Sequence, residues 1–215
     1  MWRIFYLILF VPGLLNGQPD TTGFKNQFVF HFAKIDEIKG GEKLNYAFFH
    51  GIEYNHNFNN NGIRTSFFLY TMHNRPENPF GDAFVTSGRE KNRSFHVGYY
   101  RRFFSEYKLF MHAGLNIFYN FFSGHNEITG GIYGTNTLTY YHGFRYGIMP
   151  FVNFQLKMTK RFFISVESSC YLYYENRFLE NVYENGYMVK ANIEETRWGS
   201  NFFLMNSFSI GYSFN

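Results

Sequence analysis

The chain has 215 residues, enough for one domain with a sizeable core, and 23% of them are aromatic while only 17% are charged. Its formal charge of +4 comes from scattered Lys and Arg without a basic run, which excludes the electrostatic footprint of a nucleic-acid binder. The single cysteine, Cys170, excludes an internal disulfide, and past the N-terminus no apolar run reaches the roughly 20 residues of a spanning helix.

The N-terminus carries Arg3, then the apolar run Ile4-Phe5-Tyr6-Leu7-Ile8-Leu9-Phe10-Val11, then Pro12-Gly13-Leu14-Leu15-Asn16-Gly17. A cationic start, a short apolar stretch and a small residue before a polar segment are secretory-signal features. The expected cut follows Gly17, leaving residues 18–215 as one mature domain, although Leu15 is a poor small residue for the minus-three position. Loss of Arg3 takes the charge to 4 − 1 = +3.

Behind this segment, large and small residues alternate in eight places, the period of a β-strand. The first, 27–33, sets Phe28, Phe30 and Phe32 on one face. The second, 44–57, opposes Leu44, Tyr46, Phe48, Ile52 and Tyr54 to Asn45, Ala47, Gly51, Glu53 and Asn55, with a bulge expected at His50-Gly51. The third, 63–73, opposes Thr65, Phe67 and Leu69 to Arg64, Ser66, Phe68 and Tyr70. The fourth, 94–103, opposes Phe95, Val97, Tyr99 and Phe103 to His96, Gly98, Tyr100 and Arg102. In the fifth, 109–122, seven apolar residues from Leu109 to Phe121 oppose His112, Gly114, Asn116 and Asn120. The sixth, 144–157, opposes Ile148, Val152, Phe154 and Leu156 to Arg145, Gly147, Asn153 and Gln155, and Pro150 predicts a bulge because it lacks a ladder donor. The seventh, 162–174, opposes Ile164, Val166, Cys170 and Leu172 to Ser165, Glu167, Ser169 and Tyr171. The eighth ends the chain, with Leu204, Phe208, Ile210, Tyr212 and Phe214 against Ser207, Ser209, Gly211 and Ser213.

The connections alternate strictly in length: 57–62, 104–108 and 158–161 are tight, whereas 34–43, 74–93, 123–143 and 175–200 are longer and mostly polar. Up-and-down barrels of the outer membrane have short periplasmic turns, long external loops and an even strand number. An antiparallel, up-and-down transmembrane β-barrel of about eight strands is therefore the expected fold. Hydrocarbon leaves no room for an unpaired strand edge, so the sheet must close. Aromatics near the strand ends read as two interfacial girdles: Phe58, Phe103, Phe104, Tyr107, Phe162, Phe163, Tyr212 and Phe214 at one end, Tyr140, Tyr141, Tyr173 and Tyr174 at the other.

On these patterns the chain resembles the small eight-stranded outer-membrane barrels, of the kind seen in outer membrane protein X and the membrane domain of outer membrane protein A. The resemblance covers nearly all of the mature chain, from Gln27 to Phe214, and its motifs are architectural. It implies an integral outer-membrane protein with periplasmic termini, in contact with outer-membrane lipid and lipopolysaccharide. The terminal Tyr212-Ser213-Phe214 looks like the aromatic-ended signal read by the barrel-assembly machinery, with the extra Asn215 a small departure. The richness in Phe and Asn is similar to that of Bacteroidota proteins.

Eight strands enclose a lumen just wide enough to be filled by side chains, and charges inside it should be paired. Glu53, Arg64, Arg102, Arg145 and Glu167 form the expected polar network, with Lys157, His96 and His112 on the same side. Reading register from the turn after the fourth strand places His112 opposite Tyr100 and His96 opposite Asn116, on different levels. No His-x-His or Cys-x-x-Cys spacing supports zinc, so no metal or cofactor is expected. The His-x-Ser-Asn run of the small deacylase barrels is absent, since His31-Phe32-Ala33, His50-Gly51-Ile52, His96-Val97-Gly98 and His142-Gly143-Phe144 all fail it, and no spacing singles out a triad. External loops are the expected contact surface for a protein or glycan, through Phe80, Tyr183, Tyr187 and Trp198. The expectation is a non-enzymatic structural or interaction protein, with a narrow passive pore as the alternative and a lipid-modifying enzyme as the third reading.

Overall fold

The computed structural model describes residues 25–36, 45–74, 84–104, 108–130, 137–184 and 187–215. Within them run β1 (Asn26–Asp36), β2 (Asn45–Phe58), β3 (Asn61–Asn74), β4 (Phe84–Phe103), β5 (Leu109–Gly130), β6 (Thr137–Lys157), β7 (Phe162–Glu184) and β8 (Tyr187–Phe214). Each strand pairs antiparallel with the next. β1 also pairs with β8, from Asn26↔Phe214 to Lys34↔Ser207, so the sheet closes into a barrel. The segment 1–17, Phe80 and Tyr107 lie outside the described residues.

The alternation sets the two faces. Phe30, Ile52, Phe67, Val97, Ile117, Ile148, Phe154, Ile164 and Ile210 are exposed on the outside, while Gln27, Glu53, Asn55, Arg64, Ser66, Asn116, Asn153, Ser165 and Glu167 are buried inside. A soluble protein does not leave its aliphatic and aromatic side chains facing water all the way round; lipid is the solvent that suits them. The short connections gather at the end that holds Asn26 and Phe214. Asn59 and Phe104, with φ of 55° and 59°, mark two of them.

Several expectations need correction. β4 to β8 are 20, 22, 21, 23 and 28 residues long, about twice the roughly 9–11 needed to cross a bilayer. Much of what reads as polar loop is therefore strand, and β7 and β8 are joined only by residues 185–186. Between β4 and β5 the register is Tyr100↔Gly114, Arg102↔His112 and His96↔Phe118, two residues away from the expected pairing. The ladder there ends at Phe103↔Met111, with Phe104 in left-handed backbone. Pro150 shifts no register: pairing with β7 lapses between Ile148↔Leu172 and Phe151↔Ser169 and resumes in phase. The bulge beside His50 is present, as β1 steps from His31↔Gly51 to Ala33↔Phe48, and it leaves His50 buried.

The girdles are also thinner than expected, because Phe103, Tyr141, Phe163 and Tyr173 are buried. Inward rings lie over glycines on neighbouring strands, among them Phe163 opposite Gly211, Tyr173 opposite Gly199, Phe68 opposite Gly51 and Tyr100 opposite Gly62. The glycine leaves a gap that the ring fills, a cross-strand device that also pins register. A Cβ on Gly211 would fall inside the Phe163 ring. Gly211→Val should therefore cost about 1–3 kcal/mol, the usual penalty of overpacking. Urea unfolding of the refolded protein, followed by heat-shift on a gel, measures it. Adding Phe163→Ala to Gly211→Val should restore part of the loss; equal stability of Gly211→Val and the parent chain would contradict the packing.

Candidate functional site

Among the described residues the lumen holds many ionisable groups, and the strands stack them in three levels. Near the short-turn end, Tyr100 Oη donates to Asn57 Oδ1 at 2.7 Å, and its ring stacks on His112 with centroids 4.4 Å apart. His112 Nδ1 meets Gln155 Nε2 at 3.2 Å. Arg102 belongs to this level and donates through Nη2 to the Asn59 carbonyl.

The middle level is built on Arg64. Its Nη1 and Nη2 donate to the two carboxylate oxygens of Glu167, at 2.5 and 3.2 Å, and Nε donates to Asn116 Oδ1 at 2.8 Å. Glu53 Oε2 stands 3.6 Å from Nη1, and the guanidinium carbon lies 3.4 Å from the Phe151 ring centre. A forked, doubly bonded Arg–carboxylate pair holds two planar groups in one geometry. β3, which bears Arg64, and β7, which bears Glu167, sit four strands apart in a ring of eight. Their side chains therefore meet across the full width of the barrel.

On the β1–β8 side of this level, His31 Nδ1 contacts Ser207 Oγ at 2.7 Å and Ser209 Oγ at 2.8 Å, while its Nε2 is 3.5 Å from Glu53 Oε2. Serine, histidine and carboxylate in contact are the parts of a nucleophilic site. Here all are 5% exposed or less. Sequence spacing does not reveal this group, because His31 and the serines are 176 and 178 residues apart and meet only when β1 closes on β8.

The third level is a larger ion cluster. Arg145 bonds Glu175 through Nε and lies 3.0 Å from Glu90 Oε1 through Nη1. Arg177 Nη2 and Arg197 Nη2 each approach Glu175 Oε1 at 3.1 Å, and Tyr141 Oη donates to Glu90 Oε2 at 3.3 Å. The Phe122 ring backs Arg145 at 4.1 Å and Arg177 at 5.5 Å. From His31 in the middle level toward this cluster, Phe68, His96 and Phe118 continue a chain of rings with centroids 4.9–5.6 Å apart.

The five expected network residues thus divide among three levels: Arg102 low, Glu53, Arg64 and Glu167 in the middle, Arg145 high. Glu90, Glu175, Arg177 and Arg197 were not among the expected residues. The signal for them is parity: Glu90 and Asn92 continue the inward face of Ser94 and His96, but their neighbours Lys91 and Arg93 make the stretch read as loop. Of the expected external contacts, Tyr187 pairs with Glu184 at the tip of the β7–β8 hairpin, and Trp198 pairs with Tyr174 well below it. They do not form one surface. Tyr183 lies in β7 opposite Met188. Tyr212 and Phe214 sit on the outer face by the closing seam, Tyr212 against Phe162 at 5.1 Å and Phe214 stacked on Phe28 at 5.3 Å. No group of three or more His, Cys, Asp or Glu side chains suited to a metal ion occurs among the described residues.

A closed antiparallel sheet of eight strands, apolar outside and crossed inside by paired ions, is a membrane-spanning β-barrel with a filled polar lumen. The chain is similar to the solved NMR structure of the E. coli outer membrane protein W, at 13% identity over 91% of this chain and 100% of that one, with a TM-score of 0.45. No protein-family model matches the chain, and no curated protein matches it.

Proposed function

We propose that this chain is an integral outer-membrane barrel, periplasmic at both termini, that serves as a structural or interaction protein of the cell envelope rather than as a channel or an enzyme. The Arg64–Glu167 pair carries this reading. A doubly hydrogen-bonded ion pair between diametrically opposed strands, with Phe151 and Asn116 closed around it, occupies the cross-section through which a solute would pass. The second ion cluster above it adds another layer of bonded side chains. The burial of His31, Ser207 and Ser209 supports a packing role for that group.

The export-signal features of residues 1–17 and the even strand number favour the outer membrane. Delivery there fits a Tyr212-Ser213-Phe214 ending presented to the barrel-assembly machinery, and the Phe- and Asn-rich composition fits a Bacteroidota source. The β7–β8 hairpin, tipped by the 79% exposed Tyr187, is the element best placed to meet a protein or glycan partner. Single-channel recording on refolded protein in planar bilayers tests the sealed lumen. The expected trace is flat; steady openings of uniform size would replace this reading with the narrow-pore one.

A further inference from the structure

Toward the long-hairpin end of β4, the outward face changes chemistry. Phe95, Val97 and Tyr99 are exposed and apolar, and the next outward positions in steps of two are Arg93, Lys91 and Arg89, all exposed. Their cross-strand neighbours change in step. Arg93 lies between Leu69 and Phe121, Lys91 between Thr71 and Ser123, and Arg89 beside His125. The boundary between hydrocarbon and headgroups therefore falls at Arg93.

No ion pair joins these three cations to a described residue. Among the described residues, the outward carboxylate on β3 to β5 is Glu127, two positions beyond His125. The β7–β8 side is acidic instead, with Glu194 exposed and Glu180 bound to His142 at 2.7 Å. Among the described residues at this level, positive charge on the outer face thus falls on the β4 wall and negative charge on the β7–β8 wall.

We infer that the Arg89–Lys91–Arg93 column docks the phosphates of a multiply acylated, multiply phosphorylated glycolipid of the outer leaflet, an inference that rests on the outer-membrane reading above. From Arg89 to Arg93 the column spans roughly 13 Å along the strand. One phosphodiester needs one or two of these cations; three in a row fit a headgroup with more than one phosphate. Guanidinium forks bind phosphate oxygens in pairs, and the ammonium between them adds a point charge. Directly below, Leu69, Phe67, Phe95 and Phe121 present exposed apolar surface for the same molecule's acyl chains.

Native mass spectrometry of the refolded full chain tests this with bisphosphorylated lipid A, phosphatidylglycerol, phosphatidylcholine and inorganic phosphate. Lipid A should be retained at least tenfold better than phosphatidylglycerol, and Arg89→Ser/Lys91→Ser/Arg93→Ser should lose at least tenfold in retention. A Lys108→Ser/Lys160→Ser control at the opposite end should keep it. Equal retention by the triple variant, equal retention of phosphatidylglycerol, or displacement by millimolar inorganic phosphate would each overturn the assignment. Should the triple variant fail to refold, Lys91→Glu alone should still show a several-fold loss, and unchanged retention there overturns it as well. A chain that heat-shifts as a folded barrel yet ignores lipid A removes this surface while leaving the outer-membrane reading in place.

Discussion

Replacing Arg64 with Met should destabilise the barrel by about 3–5 kcal/mol, the range found when one partner is taken from a buried ion pair. Glu167 would lose both donors of its forked contact, and Glu53 would lose the cation 3.6 Å away. Two carboxylates would then share a closed lumen with no guanidinium between them, Glu53 keeping the His31 ring 3.5 Å away. The size of the loss comes from those orphaned charges more than from the missing bond. The triple variant Arg64→Met/Glu53→Gln/Glu167→Gln should therefore recover most of it, because neutral amides can share the hydrogen bonds of Asn55 and Asn153. Urea unfolding in detergent, read by tryptophan fluorescence, compares the three proteins. A loss under 1 kcal/mol for Arg64→Met would mean that water already reaches the pair and that the lumen is not sealed there.

The wall of this barrel is readable from the chain wherever lipid lies outside it. From Leu109 to Phe121 every outward residue is apolar, and the inward set of His112, Asn116 and Asn120 contrasts with it. Beyond the hydrocarbon the outward residues of β4 become Arg93, Lys91 and Arg89, so the contrast between faces vanishes although the strand continues. The same loss of contrast hides the upper half of β7 and β8, where Glu175, Arg177 and Arg197 point inward among polar neighbours. The inward aromatics escape notice for another reason. Phe163 and Tyr173 break the rule of large outside and small inside, and only the pairing with Gly211 and Gly199 explains their place.

The candidate site is readable in composition and hidden in connection. Inward parity identifies Glu53, Arg64 and Glu167 as lumen residues. That Arg64 takes Glu167 in a forked pair, with Glu53 further off and bonded by Asn55, depends on the register around the ring. The contact of His31 with Ser207 and Ser209 depends further on the offset at the closing seam, where β1 steps from His31↔Ser209 to Ala33↔Phe208. Single-residue shifts of this kind are set by bulges, and a bulge leaves little trace in an alternating sequence.

Ile117→Arg should cost about 2–4 kcal/mol, the depth-dependent penalty of a cation on the lipid face near the bilayer midplane. Ile117 is 69% exposed and pairs with Val97 on one side and Ile148 on the other, both also exposed. It lies in the middle of β5's apolar run, far from the levels where an arginine can reach headgroups by extending its stem. In water the same change is close to neutral or even favourable, since it replaces exposed hydrocarbon by charge. The sign and size of the effect therefore separate a bilayer from water as the outer solvent, independently of what the lumen does. Unfolding in lipid vesicles measures it, with Lys91→Ile as a comparison above the hydrocarbon boundary. That change should move stability by much less, because Lys91 sits among Thr71 and Ser123. Equal tolerance of Ile117→Arg and Lys91→Ile would mean that the apolar belt does not meet lipid.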